Sequence, residues 1–76
     1  MTPRDQHLHI AKLQRQWAAM AERDRKYNLK RAKEEKKAGN LILSRAYADE
    51  ADRCEWWRAH RLKIAMKHEK MAKGGK

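Results

Sequence analysis

Cysteine, proline and glycine are scarce in this chain, and phenylalanine and valine are absent altogether. A single cysteine excludes an intrachain disulfide, and it also excludes the paired-cysteine spacings of zinc sites. Few residues are β-branched, and no alternating run or hairpin dipeptide indicates a strand. The residues that dominate instead are Ala, Lys, Arg, Glu, Leu and Met, all of which favour helices. The sequence therefore predicts an all-α protein.

Long apolar runs are also missing from the sequence. None approaches the roughly 18 residues that a membrane span needs. The N-terminus lacks the basic-then-apolar layout of a secretory signal. We therefore expect an intracellular, cytoplasmic protein in a reducing compartment. There Cys54 is expected to be a small core residue, with an intermolecular bridge or a reactive thiol as the alternatives.

A break between two helices is expected at Gly39 and Asn40, near the middle of the chain. Glycine accepts the left-handed conformation that ends a helix, and asparagine is a favoured N-cap of the next one. In the first half, the positions expected to face another helix recur at steps of three and four residues. In the second half, the apolar residues follow the same spacing but are shifted by two residues. A turn removes this conflict, and one long helix with a stutter is the alternative.

The predicted fold is an antiparallel two-helix hairpin, similar to a coiled coil, which could pair with a second copy as a four-helix bundle. Its single domain spans residues 1–76, with helices over about 3–38 and 41–73, a turn at 39–40 and a frayed tail at 74–76. Thr2 and Pro3 are typical of a helix start. The core is expected in the half away from the turn, where the large apolar residues meet: Ile10, Leu13, Trp17 and Met20 against Trp57, Leu62, Ala65, Met66 and Met71.

Basic residues outnumber acidic ones by 20 to 10, which gives a net charge of +10 and favours an acidic partner: nucleic acid, an acidic protein face or an anionic membrane. Near the turn, we expect pairs within and between the helices to neutralise most charges. The uncompensated charge is expected from Arg58 to Lys76, where Glu69 is the only acid. A smaller basic cluster lies at the turn and consists of Lys33, Lys36 and Lys37.

No constellation in the sequence indicates catalysis. There is no phosphate-binding loop, and the one serine, Ser44, has no histidine at a helical spacing that would activate it. We therefore expect no enzymatic activity, no catalytic residue and no cofactor. His7, His9 and His68 could approach one another at the open end of the hairpin, but His7 and His9 project from different sides of the helix. No metal site is expected.

The pair Trp56-Trp57 is the most informative local feature. Neighbouring residues of a helix point about 100° apart, so only one of the two indoles can lie in the seam. Trp57 matches the spacing of the apolar residues that face the other helix. Trp56 is therefore expected to contact a partner, to contact a second copy of the chain or to lie flat on the hairpin surface. Because Trp and Arg are the commonest anchors of interfaces, the candidate partner-binding residues are Trp56, Arg58, Arg61, Lys63, Lys67 and Lys70.

These features predict a small regulator, inhibitor or adaptor, of the kind that phages and plasmids carry. It would dock on an acidic surface of a protein in nucleic-acid-handling machinery. Direct, weakly sequence-specific binding of DNA or RNA is the alternative, and its affinity would fall steeply with salt. A membrane partner is not expected, because the amphipathic side of the second helix is needed for the hairpin itself.

Overall fold

The computed structural model describes residues 2–74 and consists of two helices, α1 (Pro3–Lys37) and α2 (Leu41–Gly74). The helices pack along each other in opposite directions, within a frame of 58 × 14 × 11 Å. The predicted all-α hairpin is confirmed, and the alternative of one uninterrupted helix is wrong. Gly74, the first residue of the expected frayed tail, is the last residue of α2, and residues 75 and 76 lie outside the described part of the chain.

The start of α1 follows from its first residues. Thr2 is extended (φ −72°, ψ 160°), and its Oγ1 accepts a hydrogen bond of 3.1 Å from the backbone N–H of Asp5. Pro3 occupies the first turn, where its missing N–H leaves no hydrogen bond unmade. The Asp5 carboxylate lies near the positive end of the helix dipole, which further favours a helix start here.

The turn is a Schellman motif built on Gly39, whose φ of +85° is left-handed. The N–H of Asn40 donates to the carbonyl of Glu35 at 2.8 Å, and the N–H of Gly39 donates to the carbonyl of Lys36 at 3.1 Å. The Asn40 carbonyl accepts the N–H of Ser44 at 2.9 Å, so Asn40 holds the N-cap position of α2. Its side-chain amide, however, donates to the Glu35 carboxylate at 2.8 Å and so ties the turn back to α1.

Small residues fill the seam between the helices. Three alanines in each helix recur at spacings of seven or fourteen residues, which keeps them on one side of a coiled-coil-like pair. Methyl groups at these positions let two helix axes approach closely. Of the residues that the structure describes, the buried ones are Ala11, Gln14, Ala18, Asn28 and Ala32 in α1, and Ala51, Ala65 and Ala72 in α2.

The prediction that large apolar residues form the core is wrong. The ladder that contains Trp17 and Met20 lies beside the seam and not in it, and these two side chains are 43% and 52% exposed. The seam of α1 runs one residue later, through Ala18, which turns the large residues about 100° out of the interface. Ala65 alone of the expected core set is fully enclosed, at 0% exposed.

Candidate interaction surfaces

On one side of the alanine seam, four charged residues form a closed ring, the charged quartet of Glu22, Arg25, Glu55 and Arg58. Within each helix the arginine bonds the glutamate three residues before it, at 2.7 Å for Arg25–Glu22 and 2.5 Å for Arg58–Glu55. Across the seam, Arg25 lies 3.5 Å from Glu55, and Arg58 lies 3.3 Å from Glu22. The hydrogen bond from Arg25 lowers the pKa of Glu22, and that from Arg58 lowers the pKa of Glu55.

A third ion pair joins the two helices on the same side of the seam. The Arg15 guanidinium donates two hydrogen bonds, of 2.8 and 2.7 Å, to the Glu69 carboxylate. These bonds lower the pKa of Glu69. The expectation that Arg58 is uncompensated was therefore wrong, because Glu55 lies one turn before it and Glu22 lies opposite it.

On the other side of the seam, the Arg61 guanidinium lies against two indoles. Its central carbon is 4.8 Å from the ring centroid of Trp17 and 5.1 Å from that of Trp57. Its Nη1 donates to the side-chain oxygen of the buried Gln14 at 3.3 Å. Contacts between a guanidinium and aromatic rings are attractive, the more so when partly desolvated. Arg61 thus links α1 to α2 and is only partly open to solvent.

The indoles of Trp17 and Trp57 belong to a continuous apolar surface, which we call the aromatic face. A groove at its centre is lined by Met20, Asp24, Glu50 and Cys54 besides the two indoles and Arg61. Helical spacing extends the face in both directions from this groove. Its apolar members are Ile10, Leu13, Trp17, Met20 and Tyr27 of α1, and Leu43, Tyr47, Cys54, Trp57, Ile64 and Met71 of α2. Its charged members are Asp24, Arg31, Glu34, Glu50 and Arg61, and none of its residues is a lysine.

Trp56 lies beside the aromatic face, on the outward side of α2, and its ring meets that of Trp57 edge-on with centroids 4.9 Å apart. It is 59% exposed, and its ring stacks on that of His60, with centroids 5.0 Å apart and planes within 8°. Lys63 and Lys70 follow Trp56 at intervals of seven residues and share its side of the helix, while Lys67 follows His60 in the same way. We call these five residues the outer surface of α2.

The structure thus divides the predicted partner-binding residues among three surfaces. Arg58 lies in the charged quartet and Arg61 on the aromatic face, whereas Trp56 and the three lysines stay together on the outer surface of α2. In residues 2–74, every ion pair takes its base from an arginine, so these lysines have no carboxylate partner. The smaller cluster at the turn, Lys33, Lys36 and Lys37, is exposed and unpaired in the same way.

The histidines at the open end behave as a pair. Nδ1 of His7 and Nδ1 of His68 are 2.8 Å apart, so one ring donates to the other across the seam. His9 is exposed and does not share this contact. Across the described part of the chain, no three histidine, cysteine or acidic side chains converge as they would to hold a metal ion.

Cys54 is half-buried at the floor of the groove in the aromatic face. Burial raises the pKa of its thiol, and the nearby carboxylates of Glu50 and Asp24 raise it further. The amide of Asn28 lies 3.9 Å from its sulfur. Because a thiolate is disfavoured here, the geometry does not favour a reactive nucleophile.

Comparison with known proteins finds no matching family model, curated protein or solved structure. Within residues 2–74, neither helix offers a stretch that is both long and apolar enough to pass through a bilayer. The assignment of function therefore depends on the surfaces described above.

Proposed function

We propose that this protein is a non-enzymatic basic binding module that docks on an acidic surface of a protein in nucleic-acid-handling machinery, as a regulator, inhibitor or adaptor. The observation that carries the proposal is the outer surface of α2. It combines one exposed, stacked indole with three lysines that pair with no carboxylate of residues 2–74.

The arrangement suits recognition of an acidic surface for two reasons. Trp56 is held against His60, so less side-chain freedom is lost when the indole enters a partner's pocket. Lys63, Lys67 and Lys70 extend over two turns beyond it, and their charges would steer an acidic partner towards the indole. The aromatic anchor would supply affinity, and the lysines would mainly supply association rate and orientation.

Capture from the native host, followed by mass spectrometry with and without nuclease, tests this proposal. The test variant combines Trp56→Ala with glutamine at Lys63, Lys67 and Lys70. Its matched control replaces Lys33, Lys36 and Lys37 by glutamine, which removes the same charge near the turn. We expect a partner that survives nuclease, is lost with the test variant and is kept with the control. A partner kept equally by both variants would contradict the assigned surface.

Direct binding of nucleic acid is the second candidate, and one observation favours it. Most arginines are engaged within the hairpin, whereas no lysine of the described residues 2–74 makes an ion pair. Lysine binds phosphate as a point charge and needs no fixed geometry. Such binding is electrostatic and carries little sequence information.

Fluorescence anisotropy with duplex and single-stranded oligonucleotides distinguishes this candidate. Affinity is expected to fall steeply between about 50 and 200 mM salt. Glutamine at Lys63, Lys67 and Lys70 should reduce the slope of log K against log salt by roughly three if each lysine contacts a phosphate. No binding to either oligonucleotide at the lower salt concentration would rule the candidate out.

A further inference from the structure

We propose that the aromatic face packs against the same face of a second copy of this chain, so that two hairpins form a closed four-helix dimer. This inference goes beyond the proposed function, because the outer surface of α2 and its lysines take no part in it. Each can fail without the other.

One hairpin leaves its most apolar surface exposed to water. Burying a side chain as large as leucine or phenylalanine contributes about 1.5–3 kcal/mol, whereas ordering each residue costs about 1.5 kcal/mol. The seam buries alanines, and each methyl group removes little apolar area from water. On the aromatic face, Tyr27 and Trp57 remain 60% and 47% exposed. A second pair of helices packed on this face would bury the large apolar side chains that the alanine seam leaves exposed.

The charge of the aromatic face favours a second copy of this chain as its occupant. Two chains of net charge +10 repel each other, so self-association needs a surface from which the excess charge is missing. The aromatic face is such a surface, because its three acids outnumber its two arginines and it contains no lysine. An acidic partner would instead be attracted to the sides that carry the lysines.

The aromatic face is also large enough for a stable interface. The broad side of the hairpin measures 58 × 14 Å between Cα atoms. That is on the order of 800 Å², about what each partner contributes to a stable, specific interface. The apolar members of the face extend from Ile10 to Tyr27 along α1 and from Leu43 to Met71 along α2. The aromatic face therefore occupies most of this side of the hairpin. A two-fold pairing of identical faces is closed, and further growth is not expected.

The oligomeric state of the unmodified chain is the first test. Sedimentation velocity should give a mass twice the 9.1 kDa of one chain. Salt should strengthen the dimer because it screens the repulsion between the two charged copies. Binding of an acidic partner weakens with salt, so the salt dependence separates this inference from the proposed function. A monomer at high micromolar concentration in high salt, or a ladder of larger assemblies, would overturn the dimer.

Two exposed apolar residues of α2 provide a matched pair of variants for the second test. Trp57→Lys places a charge on the aromatic face, and Met66→Lys makes the same kind of change on the opposite side of the helix, where the Met66 side chain is 60% exposed. We expect at least tenfold weaker association for the first variant and unchanged association for the second. A folded Trp57→Lys variant that still dimerises like the unmodified chain would refute the assigned face.

A third measurement applies even if Trp57→Lys does not fold. Trp56→Phe leaves Trp17 and Trp57 as the fluorescent tryptophans. In the dimer their emission should be blue-shifted and protected from acrylamide, and dilution to the monomer should remove the protection. Free access of acrylamide to these indoles in a sample that is dimeric by sedimentation would show that another surface makes the dimer.

Discussion

Arg25 of α1 and Arg58 of α2 are structural counterparts. Each occupies the seam position that alanines fill elsewhere in its helix, each bonds the glutamate three residues before it, and each reaches the other's glutamate across the seam. The same pattern, A-x3-E-x2-R-x6-A, begins at Ala18 in α1 and again at Ala51 in α2. The charged quartet is thus the centre of an approximate two-fold relationship between the helices.

Replacing Arg58 with alanine should lower the melting temperature modestly at low salt. The change leaves Glu22 and Glu55 with only Arg25 between them, so like charges face each other across the seam. Ion pairs of this exposure contribute little and are screened by salt. Thermal melts at low and high salt should therefore show a difference that shrinks as salt rises. The exposed Arg45 makes no ion pair within residues 2–74, and Arg45→Ala serves as the control. A difference that does not depend on salt would show that packing, and not charge, holds this position.

Acid should destabilise the hairpin below about pH 4.5. Arginine partners lower the pKa of Glu22, Glu55 and Glu69 from the ordinary value of 4.5. A carboxylate with a lowered folded-state pKa contributes stability that is present above its unfolded pKa and is lost as pH falls through its folded pKa. Helicity and melting temperature should therefore fall as the pH drops below about 4.5. A triple variant with glutamine at these positions should lose less melting temperature between about pH 4.5 and lower pH. If the triple variant loses as much as the unmodified chain, the acid sensitivity comes from general charge repulsion and not from these carboxylates.

Gly39→Ala should destabilise the chain by about 1–2 kcal/mol, because a left-handed φ is unfavourable for a residue with a Cβ. A Cβ built at Gly39 meets no atom within 4 Å. The penalty therefore comes from the left-handed backbone conformation itself and not from a clash with neighbouring residues. Gly39→Asn should cost less, since asparagine tolerates this conformation better. Urea unfolding of the three proteins measures both effects. Equal losses for alanine and asparagine would contradict the conformational explanation.

Ala65→Leu should destabilise the chain by about 1–3 kcal/mol, the usual range for overpacking a well-packed core. Ala65 is fully enclosed in the seam, so a larger side chain must push the helices apart. Ala59 lies on an exposed part of the same helix, and Ala59→Leu should be nearly neutral. Chemical unfolding of the two variants gives the comparison. Equal effects at the two positions would mean that the seam runs elsewhere.

The hairpin could be predicted from sequence because its turn is set by local chemistry. Gly39 readily adopts the left-handed backbone that ends a helix, and Thr2 and Pro3 favour a helix start. The composition contains few of the β-branched and aromatic residues that favour strands. The position of the seam could not be predicted in the same way. The row of residues that contains Trp17 and the row that contains Ala18 recur with the same helical spacing. Alanine is a good helix former at any position, so its presence does not mark the buried row. Only the mutual contact of two helices decides which row is inside.

The exposure of the candidate partner-binding residues was predicted only in part, for the same reason. Exposure of Trp56 follows from its angle to Trp57, and the structure shows it on the surface. The internal engagement of Arg58 and Arg61 depends on Glu22 and Trp17, which lie in the other helix and far away in sequence. The repeated A-x3-E-x2-R-x6-A pattern was the feature in the sequence that could have revealed the first of these contacts.

A seam made of methyl groups also determines how the folding of this chain can be observed. Near-ultraviolet circular dichroism normally reports the packing of aromatic rings inside a protein. Here all the tryptophans stand outside the seam, so that band is set by the contacts of Arg61 with Trp17 and Trp57 and by the stacking of Trp56 on His60. Loss of near-ultraviolet ellipticity would therefore register a disturbance of the surface, even while the two helices stay joined.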